Sequence, residues 1–257
     1  MTFIDSHCHF DFAEFDTERV QLMVQCQQLG IETLIVPGVT LAQSHSLISF
    51  SQQYSCVRIC MGLHPYFMAE HIDDHLAKLS ELALQYRTQL VAIGECGIDR
   101  SIENIEKQTQ IFEHHIDLAN QLELPLIVHH RQSHDLIAQS LKRCKPKYGG
   151  VIHAFSGSLQ QAQYYIKQGF KLGVGGVITY QRAQKTRSVV AQIAPQHLLL
   201  ETDAPAMPLA GFQGQINTPL QLPLVFEQLC QLKQITTPYK AGFQKQLYNS
   251  CSELFRI

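Results

Sequence analysis

Eight short apolar, β-branched runs punctuate the chain up to Leu200, each ending in polar residues. They are Phe3-Ile4 leading to His7, Thr33 to Val36, Val57 to Met61, Leu90 to Ile93, Pro125 to Val128, Gly150 to Ile152, Phe170 to Val174, and Leu198 to Leu200. Between them, apolar residues recur at helical intervals, as from Arg19 to Leu29 before Gly30, Leu76 to Tyr86, Glu106 to Gln121, and Leu159 to Gln168 before Gly169. A strand that is apolar on both sides must be buried on both, so this alternation predicts a parallel sheet with both faces covered by helices. Eight such units predict a closed (β/α)8 TIM barrel. A doubly wound open sheet is the structural alternative, but no Gly-x-Gly-x-x-Gly follows the first strand. After Pro205 the rhythm changes to a turn-rich loop, Pro208 to Pro219, and then amphipathic stretches around Leu224 to Leu232 and Tyr239 to Leu254. These predict helices packed on the outside of the barrel.

The composition narrows the class. With 45% hydrophobic and 16% charged residues, 257 residues can bury a sizeable core, which argues against disorder. No Gly/Ser linker or charge run divides the chain, so residues 1–257 are expected to form one barrel domain. The net charge of −2 supplies no global basic field, and any polyanion contact must come from local clusters. There is no basic region followed by an apolar run and cleavage site, and no apolar stretch long enough to span a bilayer. A soluble cytoplasmic protein is therefore expected, without membrane association or an evident obligate protein partner. The eight cysteines are scattered without a Cys-x-x-Cys, which suits free thiols.

Candidate chemistry gathers at the ends of the predicted strands. If Thr2 to His7 run as a strand, Asp5, His7 and His9 project to one side, and two imidazoles can converge on one cation. Strand three ends in Gly62-Leu63-His64-Pro65 and strand four in Gly94-Glu95-Cys96-Gly97-Ile98-Asp99. Strand five ends in His129-His130-Arg131, strand six in His153-Ala154-Phe155-Ser156-Gly157, and strand eight in Glu201-Thr202-Asp203-Ala204-Pro205. In a (β/α)8 barrel the C-terminal rim is where catalytic residues gather, whereas structural histidines would not phase with strand ends. The joint pattern points to a metal centre. Six candidate ligands exceed the three or four that one catalytic zinc takes from protein, but two ions about 3.5–4 Å apart with a bridging carboxylate would use them all. On this reading His7, His9 and Asp203 serve one ion, His129 and His153 the other, and Glu95 touches both.

These motifs, which span nearly the whole chain, resemble those of the TatD-related metal-dependent hydrolases and DNases of the amidohydrolase superfamily, and within it the YjjV-like branch. The resemblance implies the same ligand set, His7, His9, Glu95, His129, His153 and Asp203. It implies a phosphodiesterase that trims single-stranded or short DNA from an end, with RNA as a further substrate. Four imidazoles lean towards zinc, manganese or iron by ligand softness, while the resemblance implies magnesium or manganese. Two positions depart from the family pattern: Cys96 stands where Ile is common, and Tyr66 where many relatives carry another His. A hydrolase of a small amide, lactone or phosphoester is the alternative, and a metal-holding protein without turnover a third. Many relatives of the amide-cleaving type carry a carboxylated Lys on strand four; Glu95 at that position favours the nuclease reading.

Roles follow for the remaining residues. Asp203 can accept or orient the proton of a metal-activated water, and Glu95 bridges. His64 is either a proton donor or phosphate contact, or a hydrogen-bond partner of a ligand. Asp5 and Glu201 each precede a ligand by two residues, which suits orienting roles. Arg131, together with Arg182, Lys185 and Arg187 after strand seven, offers an anion grip, since the late loops of such barrels often bind phosphate. Tyr180 and Phe155 are candidates for base stacking, with packing as their ordinary use.

Overall fold

Burial on both faces of every strand is what the apolar runs demand, and a computed structural model describing residues 1–257 meets it with a ring of eight parallel strands. The strands are β1 Phe3–Asp5, β2 Ile31–Val36, β3 Val57–Met61, β4 Leu90–Asp99, β5 Leu126–Arg131, β6 Gly150–Ile152, β7 Phe170–Val174 and β8 Leu198–Leu200. The helices between them are α1 Arg19–Gln28, α2 Leu41–Gln53, α3 His75–Gln85, α4 Ile105–Leu122, α5 His134–Cys144, α6 Leu159–Lys167 and α7 Gln184–Gln192. Two more follow β8, α8 Leu222–Leu232 and α9 Thr237–Phe255. Each strand pairs with the next, β1 through β8 in sequence order. The ring closes where Ser6 N–H donates to Leu200 O (2.9 Å), Asp203 N–H to His7 O (2.9 Å) and His9 N–H to Ala204 O (2.8 Å). The architecture is a (β/α)8 barrel.

Two apolar layers hold it. The larger lies between strands and helices, where side chains such as Leu34, Ile59, Phe112, Leu172 and Phe226 are buried. The smaller fills the barrel interior with Ile4, Ile35, Cys60, Ala92, Ile127, Val151 and Leu199. Cys251 and Phe255 from the last turns of α9 join that inner layer, so α9 covers the end of the barrel where the strands begin. The opposite end, where the strands finish, is left for polar side chains. All eight cysteines are free. No helix is long and apolar enough to cross a membrane.

Among the element boundaries that differ from the sequence expectation, those of β1 and β4 matter most to the site. β1 stops at Asp5, short of His7, because the chain there turns to pair with the end of β8. β4 runs on through its polar residues to Asp99, because β5 continues beside it and pairs Gly97 with His129, Ile98 with His130 and Asp99 with Arg131. Glu95 therefore sits within a strand, buried at 1% exposure.

Candidate metal centre

Glu95 is fixed first. Its backbone N–H donates to Gly38 O at 2.8 Å, and Gly62 lies so close that a Cβ there would meet Glu95 O at 2.5 Å. The carboxylate then divides its surroundings. Oε2 lies 3.1 Å from His7 Nε2 and 3.6 Å from His9 Nε2, while Oε1 lies 3.2 Å from both His64 Nε2 and His129 Nδ1. Asp203 Oδ1 stands 3.6 Å from His7, His9 and His153 Nε2 alike. Its backbone is left-handed, with φ +57°, a conformation Asp adopts more readily than most residues. Three groups of donor atoms come close enough to share a cation: His7, His9 and Glu95; His7, His153 and Asp203; and His64, Glu95 and His129.

This grouping differs from the expected one in placing His153 beside His7 and Asp203 and His64 beside His129. Tethers explain it. His153 Nδ1 lies 3.1 Å from Glu201 Oε1, and its ring stacks on His7 at 3.5 Å between centroids. Glu201 in turn accepts Ala154 N–H at 2.7 Å and fits only because residue 173 is glycine, where a Cβ would come within 2.2 Å of the carboxylate. On the other side His129 Nε2 faces Asp99 Oδ2 at 3.2 Å. His64 Nδ1 accepts Tyr66 N–H at 3.0 Å, so a neutral His64 carries its hydrogen on Nε2 and donates it to Glu95. Asp5 is buried behind the ligands, accepting Thr202 Oγ1–H (2.6 Å), Thr202 N–H (3.0 Å) and His7 N–H (3.2 Å).

The charges are arranged to receive a cation. Burial opposes ionisation of Glu95, but the imidazoles of His64 and His7 and hydrogen bonds from His129 and His64 outweigh it and hold the carboxyl well below its usual range. Burial likewise opposes Asp203, and His153, His7 and His9 pull it down. Burial and then the neighbouring His7 push His9 down to about 3, leaving a free lone pair. Against the effect of burial, Asp99 and Glu95 raise His129, and Glu201 and Asp203 raise His153 well above the usual value. His7 Nε2 and His9 Nε2 face each other at 3.2 Å, and the buried Nδ1 atoms of both lack partners. Converging lone pairs beside two carboxylates are the donor set of a divalent metal.

A cavity of about 470 Å³ opens over this centre, with Phe12, Tyr66, Phe67 and Met207 among its walls. A recess of about 650 Å³ at the opposite end of the barrel brings together Arg58, Arg87 and Arg256, but the site chemistry does not reach it. Its arginines are engaged: Arg58 with the carbonyls of Ser55 and Val57, Arg87 with that of Leu122, and Arg256 over the ring of Tyr148.

Residues 4–256 match the family described as TatD related DNase. The chain belongs to the TatD family. Among TatD relatives, an uncharacterized metal-dependent hydrolase, YjjV of Escherichia coli K12, is 41% identical over 234 residues, covering 90% of each chain. The crystal structure of that TatD homologue superposes with a TM-score of 0.94 at 39% identity, over 99% of this chain and 98% of the other. A protein named 3′-5′ ssDNA/RNA exonuclease TatD, from Cronobacter sakazakii, is 30% identical over 227 residues, 85% of this chain and 86% of its own. As a TatD-family protein the chain is a metal-dependent hydrolase of ester bonds, with His, Glu and Asp groups able to hold metal.

Within this TatD-family barrel the expected basic residues separate. Arg131 lines the cavity over the metal centre and forms no ion pair; the arginine pairs are those of Arg19, Arg100 and Arg143. Arg187 is bound to the carbonyl of Ile178, and Lys185 is exposed on the first turn of α7, outside the metal cavity. Arg182 lies over the Tyr180 ring. Phe155 is buried and packs edge-on to Tyr165. Sequence reasoning gave no role to Asp99, yet strand alternation carried the signal, since it follows Glu95 by four residues on one strand and so shares its face. Phe12 and Phe67 lie in turns without periodicity, and nothing in the sequence pointed to them.

Proposed function

We propose that the protein is a metal-dependent exonuclease that shortens single-stranded DNA, and secondarily RNA, by phosphodiester hydrolysis. The observation that carries this is the two-sided carboxylate of Glu95, with imidazoles on each oxygen, at the floor of an open cavity. The relative named as a 3′-5′ ssDNA/RNA exonuclease supports the substrate class. Two divalent ions, zinc, manganese or magnesium, would be held by His7, His9, Glu95, His129, His153 and Asp203. When bound, the metal supplies Lewis acidity and lowers the pKa of a coordinated water towards neutrality.

The chain's own groups do the rest. Asp203, ionised and partly open to the cavity, is placed to take a proton from the attacking water. His64 donates its Nε2 hydrogen to Glu95 and so keeps that carboxylate charged and oriented. Asp99 and Glu201 fix the rings of His129 and His153. Arg131, unpaired at the mouth, is placed to take a phosphate oxygen. Phe12, lying over His9 at 4.7 Å between centroids, and Phe67 give apolar walls suited to a base.

The test uses end-labelled single-stranded DNA with metal-stripped protein reloaded with magnesium, manganese or zinc, beside Asp203→Asn. Progressive shortening that needs added metal and is lost in the variant is expected. Absence of phosphodiester cleavage, with turnover of a lactone, amide or small phosphoester, would overturn the nuclease reading in favour of a small-molecule hydrolase.

A further inference from the structure

A second, smaller basin of about 250 Å³ adjoins the metal cavity, and Val177 and Met207 form the wall common to both. Beyond that wall it is lined by Tyr180, Arg182, Ala183 and Pro208. Tyr180 is fixed, because its hydroxyl donates to Pro208 O at 2.8 Å and its ring lies beneath the guanidinium of Arg182, whose carbon is 5.0 Å from the ring centroid. Arg182 is exposed and unpaired: the arginines in ion pairs are Arg19, Arg100 and Arg143. The basin thus presents a planar cation, seated on an aromatic ring, one wall away from the catalytic carboxylates. A guanidinium held this way can stack a base on its outer plane and donate from its edge to a phosphate.

We propose that this basin is a second nucleotide subsite, in which Arg182, seated on Tyr180, stacks the base of a nucleotide flanking the scissile bond and contacts its phosphate. The proposal rests on the single-strand nuclease reading and adds substrate length to it. A strand crossing the Val177–Met207 wall fills both basins, whereas a dinucleotide fills only the first. Longer strands are therefore the better substrates, and the advantage resides in KM.

The experiment compares hydrolysis of a thymidylate dinucleotide with that of an oligothymidylate of about eight units by the metal-loaded wild type, Arg182→Ala and Arg182→Lys. Fluorescence anisotropy of the labelled longer strand on metal-stripped protein gives binding without turnover. The wild type is expected to prefer the longer strand. Arg182→Ala is expected to raise its KM roughly tenfold, keep kcat, weaken binding by a similar factor and lose the length preference. Arg182→Lys, with charge but no plane, is expected to recover only part. Equal KM and binding in wild type and Arg182→Ala, or a wild type indifferent to length, overturns the subsite alone. Cleavage of neither strand with any metal overturns the nuclease reading and the subsite with it.

Discussion

The two oxygens of the Glu95 carboxylate look onto regions built in different ways. On the Oε2 side, His7 is fully buried, and the His7–His9 segment is positioned by backbone hydrogen bonds to the end of β8. Their Nδ1 atoms have no partners. On the Oε1 side, the His129 side chain is 19% exposed and its other nitrogen is held by the Asp99 carboxylate. On the inner flank His7 and His9 owe their geometry to closure of the barrel and His153 to Glu201, while the outer flank owes its geometry to Asp99. The inner position, between fully buried His7 and nearly buried His153, would be the more enclosed and the slower to exchange; the outer one would lie beside the more exposed His129.

Removing the shared group should erase the difference. Glu95→Ala is expected to lower kcat at saturating metal at least about a thousandfold, by analogy with loss of a principal electrostatic element. Steady-state hydrolysis of labelled DNA checks this; near wild-type turnover would break the comparison. A smaller effect separates the flanks. Asp99→Asn is expected to raise the metal concentration for half-maximal activity about 10–100-fold through the outer flank, and Glu201→Gln to do so through His153 on the inner one. With Asp99→Asn the excess metal is expected to restore activity quickly. With Glu201→Gln recovery should be slower, because the ring that loosens is buried.

A third effect lies beneath both flanks and acts on stability, not on turnover. Burial, against hydrogen bonds from Thr202 and His7, pushes Asp5 up to about 8. The folded state then holds a proton that the unfolded chain releases near pH 4, so this group's stabilisation is full below about pH 4 and is lost as pH rises towards 8. Denaturant unfolding of metal-free protein should show it, as a stability that falls while pH rises through that window. Asp5→Asn is expected to flatten that dependence. An unchanged slope would mean Asp5 is ionised throughout.

How much of this the chain announced follows the same division. The apolar runs marked the strands because a both-sides-buried strand leaves a continuous hydrophobic signature, and the strand ends then phased His7, Glu95, His129, His153 and Asp203 onto one rim. The TatD resemblance on those motifs agrees with the family match. What escaped depended on backbone departing from simple alternation. Asp203 was expected beside His7 and His9 and lies 3.6 Å from each, but that β1 stops before His7 and that Asp203 is left-handed could not be read from spacing. His153 leans towards Asp203 because Gly173 makes room for Glu201, a contact between β7 and the residue following β8 that no local pattern encodes. The tautomer of His64 depends on the turn that brings Tyr66 N–H beneath it.

The central claim is that Glu95 divides two metal positions, and calorimetric titration of metal-stripped protein with manganese tests it most directly. The account predicts two bound ions per chain, with both steps weakening as pH falls because protons on His129 and His153 must be displaced. A single ion per chain at saturation would contradict it.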